Sequence, residues 1–556
     1  MANIDHEKSS GVGSSPEKVP LASPSDTDDN DNRQRSSDEQ VEASNLTLGT
    51  PDEAAEDPNY LHGARLVLLT VTLMLGQFVL GIDATIITSA LPTITAEFDS
   101  PFDVGWYGSA YLLTTIALQP TFGKIYMYFN VKITFIVSVL IFELGSVVCA
   151  IAKKSETCIV GRALAGVGQA SMLAGGMIVI GYRIPLKRRA LYFAVLTSMN
   201  GVASVMGPPI GGVFTDIPKL TWRFCFWINL PLGALSVITG LLCFESPAGL
   251  PLQMLLKQKL AKLDIGGAIL MISGMTCLFL ALQKGGAVYL WSDSRVWGCL
   301  LGFVLITGAF IALEICASIP PKIISQRTIF SSGIFAGLVS IGLSTHTYFL
   351  PFYFQAAKGL SAEASGLRLV PYLGSIMISS LGVGLLLMLV GYPVPLMWSG
   401  VSLFAIGSGL LATLDVNSSA GSWIGFQLLT GFGFGSTVNL AAVVIQAALP
   451  AEDLPIGNSL LLFFNFLGGA LGVSIAQVIY SNVLKDQLGI LVPDLDVSTV
   501  ISAGATNIRT VVPKDLIPLV REAYSNAVSK VFLLPIAGGC LAFLFTFGIR
   551  WKNITK

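Results

Sequence analysis

Residues 66–91 read LVLLTVTLMLGQFVLGIDATIITSAL, an apolar run broken by a single acid, Asp83. A hydrocarbon core about 30 Å thick takes roughly 20 helical residues to cross, and backbone polar groups persist there only inside helices or closed barrels. The run therefore predicts a membrane-spanning helix. A carboxylate within such a helix costs roughly 2.5–3.5 kcal/mol on insertion scales, so its presence points to work on protons, ions or a bound solute.

Outward from this run, about fourteen apolar stretches of similar length follow one another from Arg65 to Arg550. They begin near Leu66, Val104, Lys132, Thr157, Ala190, Phe224, Asp264, Val296, Ile329, Gly366, Pro393, Ser422, Gly457 and Val531. With 53% apolar residues and a mean hydropathy of +0.70, the chain lies outside the soluble globular range and reads as an all-α polytopic membrane protein. The net charge of −1 hides an asymmetry, because residues 1–60 hold 14 acidic and 4 basic side chains. This tail, taken as 1–63, is rich in Ser, Asp, Glu and Pro, and it cannot bury enough apolar surface to offset the entropy of ordering.

Charge also predicts orientation. Arg183, Lys187, Arg188 and Arg189 follow the fourth span and Lys257, Lys259 and Lys262 follow the sixth, so the positive-inside rule puts both on the cytosolic side, with both termini. The linker 247–263 alternates Leu, Lys and Gln as an amphipathic surface helix would. A polar segment over about 482–529 reads as an external loop with short helices of its own. Cys149, Cys158, Cys225, Cys243, Cys277, Cys299, Cys316 and Cys540 have no metal or disulfide spacing and read as small core residues. No phosphate-cradling G-x-x-x-x-G-K-[ST] loop, metal cluster or nucleophile motif is visible, which argues against an enzyme and against a chain driven by its own nucleotide site.

Several short motifs recur in order. The first span carries Gly81-Ile82-Asp83-Ala84-Thr85-Ile86. Gly123-Lys124-Ile125-Tyr126 reads as the connection between spans two and three. The fourth span opens Gly161-Arg162-Ala163-Leu164-Ala165-Gly166, and the fifth holds Gly207-Pro208-Pro209-Ile210-Gly211-Gly212. Small residues allow close helix approach and proline bends the axis, so the last run reads as a packed hinge. Together with Trp222-Arg223-Phe224 and Leu350-Pro351-Phe352-Tyr353-Phe354-Gln355, these motifs resemble the major facilitator superfamily, in its fourteen-span drug:proton antiporter branch. The resemblance covers about Leu66 to Arg550.

That resemblance implies a major facilitator fold: a six-helix bundle over 64–246, two inserted helices over 264–318, a second six-helix bundle over 319–550 and a terminus at 551–556. Each bundle is then built of inverted repeats, with cargo bound between them. Asp83, Arg162 and Glu143 are the proton-coupling candidates. Gly207, Pro208, Gly211 and Gly212 form the antiporter motif, and Gly123 and Lys124 the loop motif, where Met127 replaces the family's usual acid and leaves a charge latch in doubt. Gln169, Gln283, Gln355, Asn439, Gln446 and Asn465 offer uncharged polarity for a cargo cavity, although interhelical hydrogen bonding is their default.

Glu314 and His346 are weaker titratable candidates, and Lys284 a cation at the end of span seven. Asn417 heads a glycosylation pattern on an outer loop. The expected function is proton-coupled export of a small amphipathic compound (a toxin, secondary metabolite or drug) across the plasma membrane. Import of siderophores or basic amino acids, or vacuolar transport, is the alternative within the fold. A sensor that binds a solute without moving it is the alternative from another class. The expected partners are cargo, protons and lipid, without cofactor or nucleic acid, and the expected state is a monomer.

Overall fold

The structure is a computed structural model that describes residues 60–100, 103–217, 220–243, 255–285, 289–317, 326–493 and 512–554. Most of the acidic tail, part of the linker before residue 255 and most of the polar segment after residue 493 lie outside the described residues.

The first six long helices are α1 Gly63–Glu97, α2 Val104–Tyr128, α3 Val131–Ala150, α4 Ser155–Arg183, α5 Leu186–Asp216 and α6 Asn229–Cys243. Two more follow, α7 Ile265–Lys284 and α8 Ser294–Ala317. Then come α9 Arg327–Phe352, α10 Val370–Val390, α11 Pro393–Leu411, α12 Ala420–Gly435 with its continuation Leu440–Ala448, and α13 Leu454–Leu491. The last, α14, is Ile517–Val531 continuing as Leu533–Thr546.

Thirteen helices among the described residues are long and apolar enough to cross a membrane. The fourteenth expected span, α2, forms a helix of 25 residues but is more polar than the rest. Its Thr115, Gln119 and Lys124 are buried against other helices instead of facing lipid. Polarity thus marks a helix that packs on protein around most of its circumference.

The packing repeats. In the first half α1 packs on α5 and α6, α4 on α2 and α3, and α3 on α6; in the second, α9 packs on α13 and α14, α12 on α10 and α11, and α11 on α14. The halves meet chiefly through α5 against α10 and α2 against α13, with smaller contacts of α4 on α13 and α5 on α12, while α7 packs on α8 and on α2. Glycines make this possible, because lipid tails supply no hydrophobic drive between helices and close backbone contact must do so. A Cβ on Gly166 would strike the Tyr111 carbonyl of α2, and one on Gly431 the Tyr372 carbonyl of α10. Likewise Gly168 lies on the Phe142 backbone of α3 and Gly433 on the Phe404 backbone of α11.

Three expected boundaries are corrected. Gly123 and Lys124 lie inside α2 and not in a loop, since the α2–α3 connection is only Phe129 and Asn130. Arg183 ends α4 and Lys187, Arg188 and Arg189 belong to the first turn of α5. The third is the segment 482–529, helical at both ends: α13 runs on to Leu491, and Ile517–Val531 buries Val520, Ala523, Tyr524, Ala527, Val528 and Val531. That 3.6-residue stripe packs on Tyr480, Leu484 and Leu488 of α13, so mean polarity conceals a one-sided helix.

Gly168→Ala and Gly433→Ala are expected to destabilise the protein by about 1–3 kcal/mol each, as overpacking does. Gly374→Ala, with open space at its Cβ position, should be neutral. Thermal melts of the purified protein in detergent compare the three.

Candidate functional site

Midway along α1, Asp83 is wholly buried. Its Oδ2 faces Arg162 Nη1 of α4 at 2.7 Å, and both side chains are at most 1% exposed. Its Oδ1 accepts from Asn229 Nδ2 at 3.0 Å, and the same amide donates to Ser146 Oγ of α3 at 3.0 Å. Arg162 Nε donates to the Tyr107 carbonyl of α2 at 3.0 Å, and its guanidinium lies 4.1 Å from the centre of the Tyr111 ring. Five helices, α1, α2, α3, α4 and α6, thus converge on one ion pair. Asn229, Ser146 and the two tyrosines escape detection from sequence, because uncharged polar residues in an apolar run give no sign of which neighbour they face.

Glu143 lies one turn before Ser146 on α3, and its carboxyl rests against Gly233, one turn after Asn229 on α6. Both of its oxygens are closed to solvent and neither has a hydrogen-bond partner among the described residues; Asn229 Oδ1 is in the same condition. Sequence candidates Asp83, Arg162 and Glu143 are therefore brought together. The first two are bonded to each other and the third is not.

The glycine-proline run in α5 packs on α1 directly after Asp83. A Cβ on Gly207 would strike Thr85 and come within 3.0 Å of Ile86 N, Gly211 faces the Ile86 carbonyl, and Ser89 Oγ donates to the Pro208 carbonyl at 2.7 Å. Gly212 has open space at its Cβ position. At the end of the bundle where the α4–α5 bases lie, Gly123 packs on Pro455 and Ser459 of α13. Lys124 forms an ion pair with Asp264, the N-cap of α7, at 3.4 Å. Lys124 thus has an ion-pair partner outside the α2–α3 connection, where Met127 stands in place of the acid. At the opposite end Glu97 accepts from Arg223 at 2.8 Å and Trp222 at 2.5 Å, and the bond from Arg223 holds its carboxyl below the ordinary glutamate range.

The expected cavity residues are dispersed. Asn439 accepts from Thr197 of α5 at 3.1 Å and donates to Ser380 at 2.7 Å. Gln446 accepts from Arg189 at 3.2 Å and donates to the Met177 carbonyl and to Asn458, each at 3.2 Å. These two belong to a seam that joins the halves at the basic end. Gln169 accepts from Thr115 at 2.7 Å within the first half. Gln355 lies in the wider π turn Tyr353–Ala357 that extends α9, and Asn465 is half-buried on α13. The side chains of Gln283 and Glu314 lie outside the described residues, and Lys284 is exposed at the end of α7. Asn417 is exposed in the α11–α12 turn, where Ser419 of the same pattern caps α12. Six described cysteines, among them Cys149 and Cys158, are free thiols.

The second half carries an uncharged copy of the Asp83 site. Gln427 precedes Gly431 by one turn, as Arg162 precedes Gly166, and Tyr372 stands where Tyr111 does. His346 of α9 has Nδ1 3.3 Å from Tyr372 Oη and is boxed by the rings of Tyr372, Phe404 and Phe532. His346 and Gln427 are fully buried, and His346 Nε2 and both polar atoms of Gln427 have no partner among the described residues.

Comparison with known proteins agrees with this architecture. A sequence model described as Major Facilitator Superfamily matches residues 73–473. The chain is 39% identical over 510 residues to the MFS-type transporter ltbE of Aspergillus luteorubrus, covering 90% of this chain and 93% of that one. It is 37% identical over 520 residues to the MFS-type efflux pump MFS1 of Arthroderma benhamiae, covering 92% and 97%. The efflux pump roqT of Penicillium rubens is 38% identical over 497 residues, covering 88% and 92%. Among solved structures, the proton:xylose symporter XylE aligns with a TM-score of 0.58 at 13% identity, over 88% of this chain and 98% of that one. The human organic anion transporter MFSD10 aligns with 0.57 at 13%, over 86% and 100%. Both share the fold.

Removing one member of a buried ion pair costs roughly 3–5 kcal/mol, whereas removing both is far milder. Asp83→Asn should therefore lower the melting temperature clearly, and Asp83→Asn combined with Arg162→Gln should recover most of the loss. Melts of the purified single and double variants measure this coupling.

Proposed function

The chain belongs to the Major Facilitator Superfamily, and from that premise we propose that it exports a small amphipathic organic compound across the plasma membrane in exchange for protons. A multi-pass membrane transporter, and not an enzyme, is what the family and its relatives establish. The finer reading draws support from relatives described as efflux pumps and from one observation in particular. Two acids and one guanidinium meet within the helical bundle, one acid having no hydrogen-bond partner among the described residues. Such a cluster changes its charge balance with every proton gained or lost, and intramembrane ionisable groups of this kind mark proton or solute pathways.

The mechanism follows from the contacts between halves. At the basic end the seam of Arg189, Gln446, Thr197 and Asn439, together with Gly123 on α13, holds α2 against α13 and α5 against α12. With the basic end on the cytosolic side, this is the state closed to the cytosol. Rocking of the halves about α5–α10 and α2–α13 opens that end and closes the other, so cargo meets each side in turn. The α5 motif couples the two events, since Gly207 and Gly211 lie on the turn of α1 that follows Asp83. A mostly uncharged interior suits an apolar or weakly ionised cargo.

In proteoliposomes a pH gradient alone should drive uphill movement of a fluorescent amphipathic dye, and a protonophore should abolish it. Undiminished uphill movement after the gradient is collapsed removes proton coupling. Gly123→Val, whose side chain meets Pro455 and Ser459, should keep the basic end from closing and cut transport at least tenfold with protein amount unchanged. Dye flux normalised to reconstituted protein checks this.

A further inference from the structure

Charge counting around Asp83 leads one step past the proposed coupling, on which it rests. The cluster holds one cation, Arg162, and two acids, Asp83 and Glu143. Asp83 is fully engaged, with Arg162 Nη1 at 2.7 Å on one oxygen and Asn229 Nδ2 at 3.0 Å on the other. Both oxygens of Glu143 are closed to solvent and bonded to nothing among the described residues. An ionised carboxylate in that condition bears its whole desolvation cost, while a neutral acid bears little of it. Among the described residues the groups around it leave no second cation to balance it. From α1 comes Asp83, from α4 Arg162 and Cys158, from α2 Tyr107 and Tyr111, from α3 itself Cys149, and Cys225 precedes α6, which presents Asn229 and Gly233.

We propose that Glu143 carries the exchanged proton, one per transport cycle, while Asp83 stays bonded to Arg162 as a fixed pair. The step is a protonation in which the carboxylate gains one proton and one O–H bond forms at Glu143. Asn229 Oδ1, one α6 turn from the Gly233 that the Glu143 carboxyl touches, is likewise buried without a partner among the described residues and is the acceptor assigned to the acid hydrogen. With that proton the cluster is neutral, and without it the cluster carries one negative charge. Among the described residues of the second half, Gln427 stands where the guanidinium does and His346 is bonded to the Tyr372 hydroxyl and to no acid, so no further proton is assigned there. Release requires water to reach the α3–α6 contact at Gly233, which ties the proton to rearrangement of the first half.

Infrared spectroscopy of the purified protein at neutral pH tests the assignment without knowledge of the cargo. The carbonyl stretch of a protonated carboxyl is expected in the wild type, absent in Glu143→Gln, and shifted in Glu143→Asp, which keeps the acid on a shorter stem. A wild-type spectrum without the band, or a band unchanged in both variants, overturns the proposal. In proteoliposomes Glu143→Gln should lose at least tenfold of the accumulation driven by a pH gradient. It should also bind one proton fewer in a titration. Gradient-driven accumulation at the wild-type level in Glu143→Gln overturns the role in coupling. If the band behaves as expected but a pH gradient drives nothing in the wild type, proton coupling fails while the proton remains assigned to Glu143.

Discussion

A guanidinium at membrane depth must meet an acid or be expelled, and the 2.7 Å contact of Arg162 with Asp83 satisfies that demand for the whole first half. Its secondary bonds do the architectural work. Tyr107 supplies a carbonyl, Asn229 and Ser146 complete the carboxylate's shell, and the five helices that carry these groups acquire a common register. Interhelical hydrogen bonds in membranes are individually modest, but here they converge on a pair whose disruption is expensive. The same saturation leaves Glu143 as an acid without a hydrogen-bond partner among the described residues, so a structural constraint and the proposed proton carrier occupy one site.

Symmetry of packing and asymmetry of charge coexist in this molecule. Gly166 and Gly431, or Gly168 and Gly433, place their helices on equivalent backbone surfaces in the two halves, because backbone approach depends on the absence of a side chain and not on its chemistry. The positions one turn away are free to differ. Arg162 and Gln427 show the result, with one half built around an ion pair and the other around neutral polar groups. A two-fold scaffold of this kind suits the proposed rocking, and among the described residues the fully buried ion pair belongs to the first half.

The polar residues between the halves act differently from their first appearance. Asn439 and Gln446 sit in a run of small apolar residues and suggest a wet cavity, yet in the described state they hydrogen-bond across the interface with Thr197 and Arg189. A contact that closes one end of a transporter must be polar enough to part without great cost, and such residues can serve cargo in one state and the seam in another.

Much of the fold was legible along the chain, because crossing length and apolar content are properties of consecutive residues. The acid in residues 66–91, the motif glycines and the basic segments announced a polytopic transporter with Asp83 and Arg162 at its centre. Helix ends were less legible, since Gly123 and Lys124 read as a loop and Ile517–Val531 as part of an external loop with short helices; helical periodicity on a protein-facing surface, and not mean hydropathy, governs both. What sequence alone determined was the membrane class, the number of helices to within α2, and which residues bear charge. Only tertiary structure decided that Asp83 is saturated, that Glu143 is not, and that Lys124 finds Asp264. Those outcomes depend on which side chains from distant segments share a few ångströms of low-dielectric space, and nothing in a linear order of residues encodes that distance.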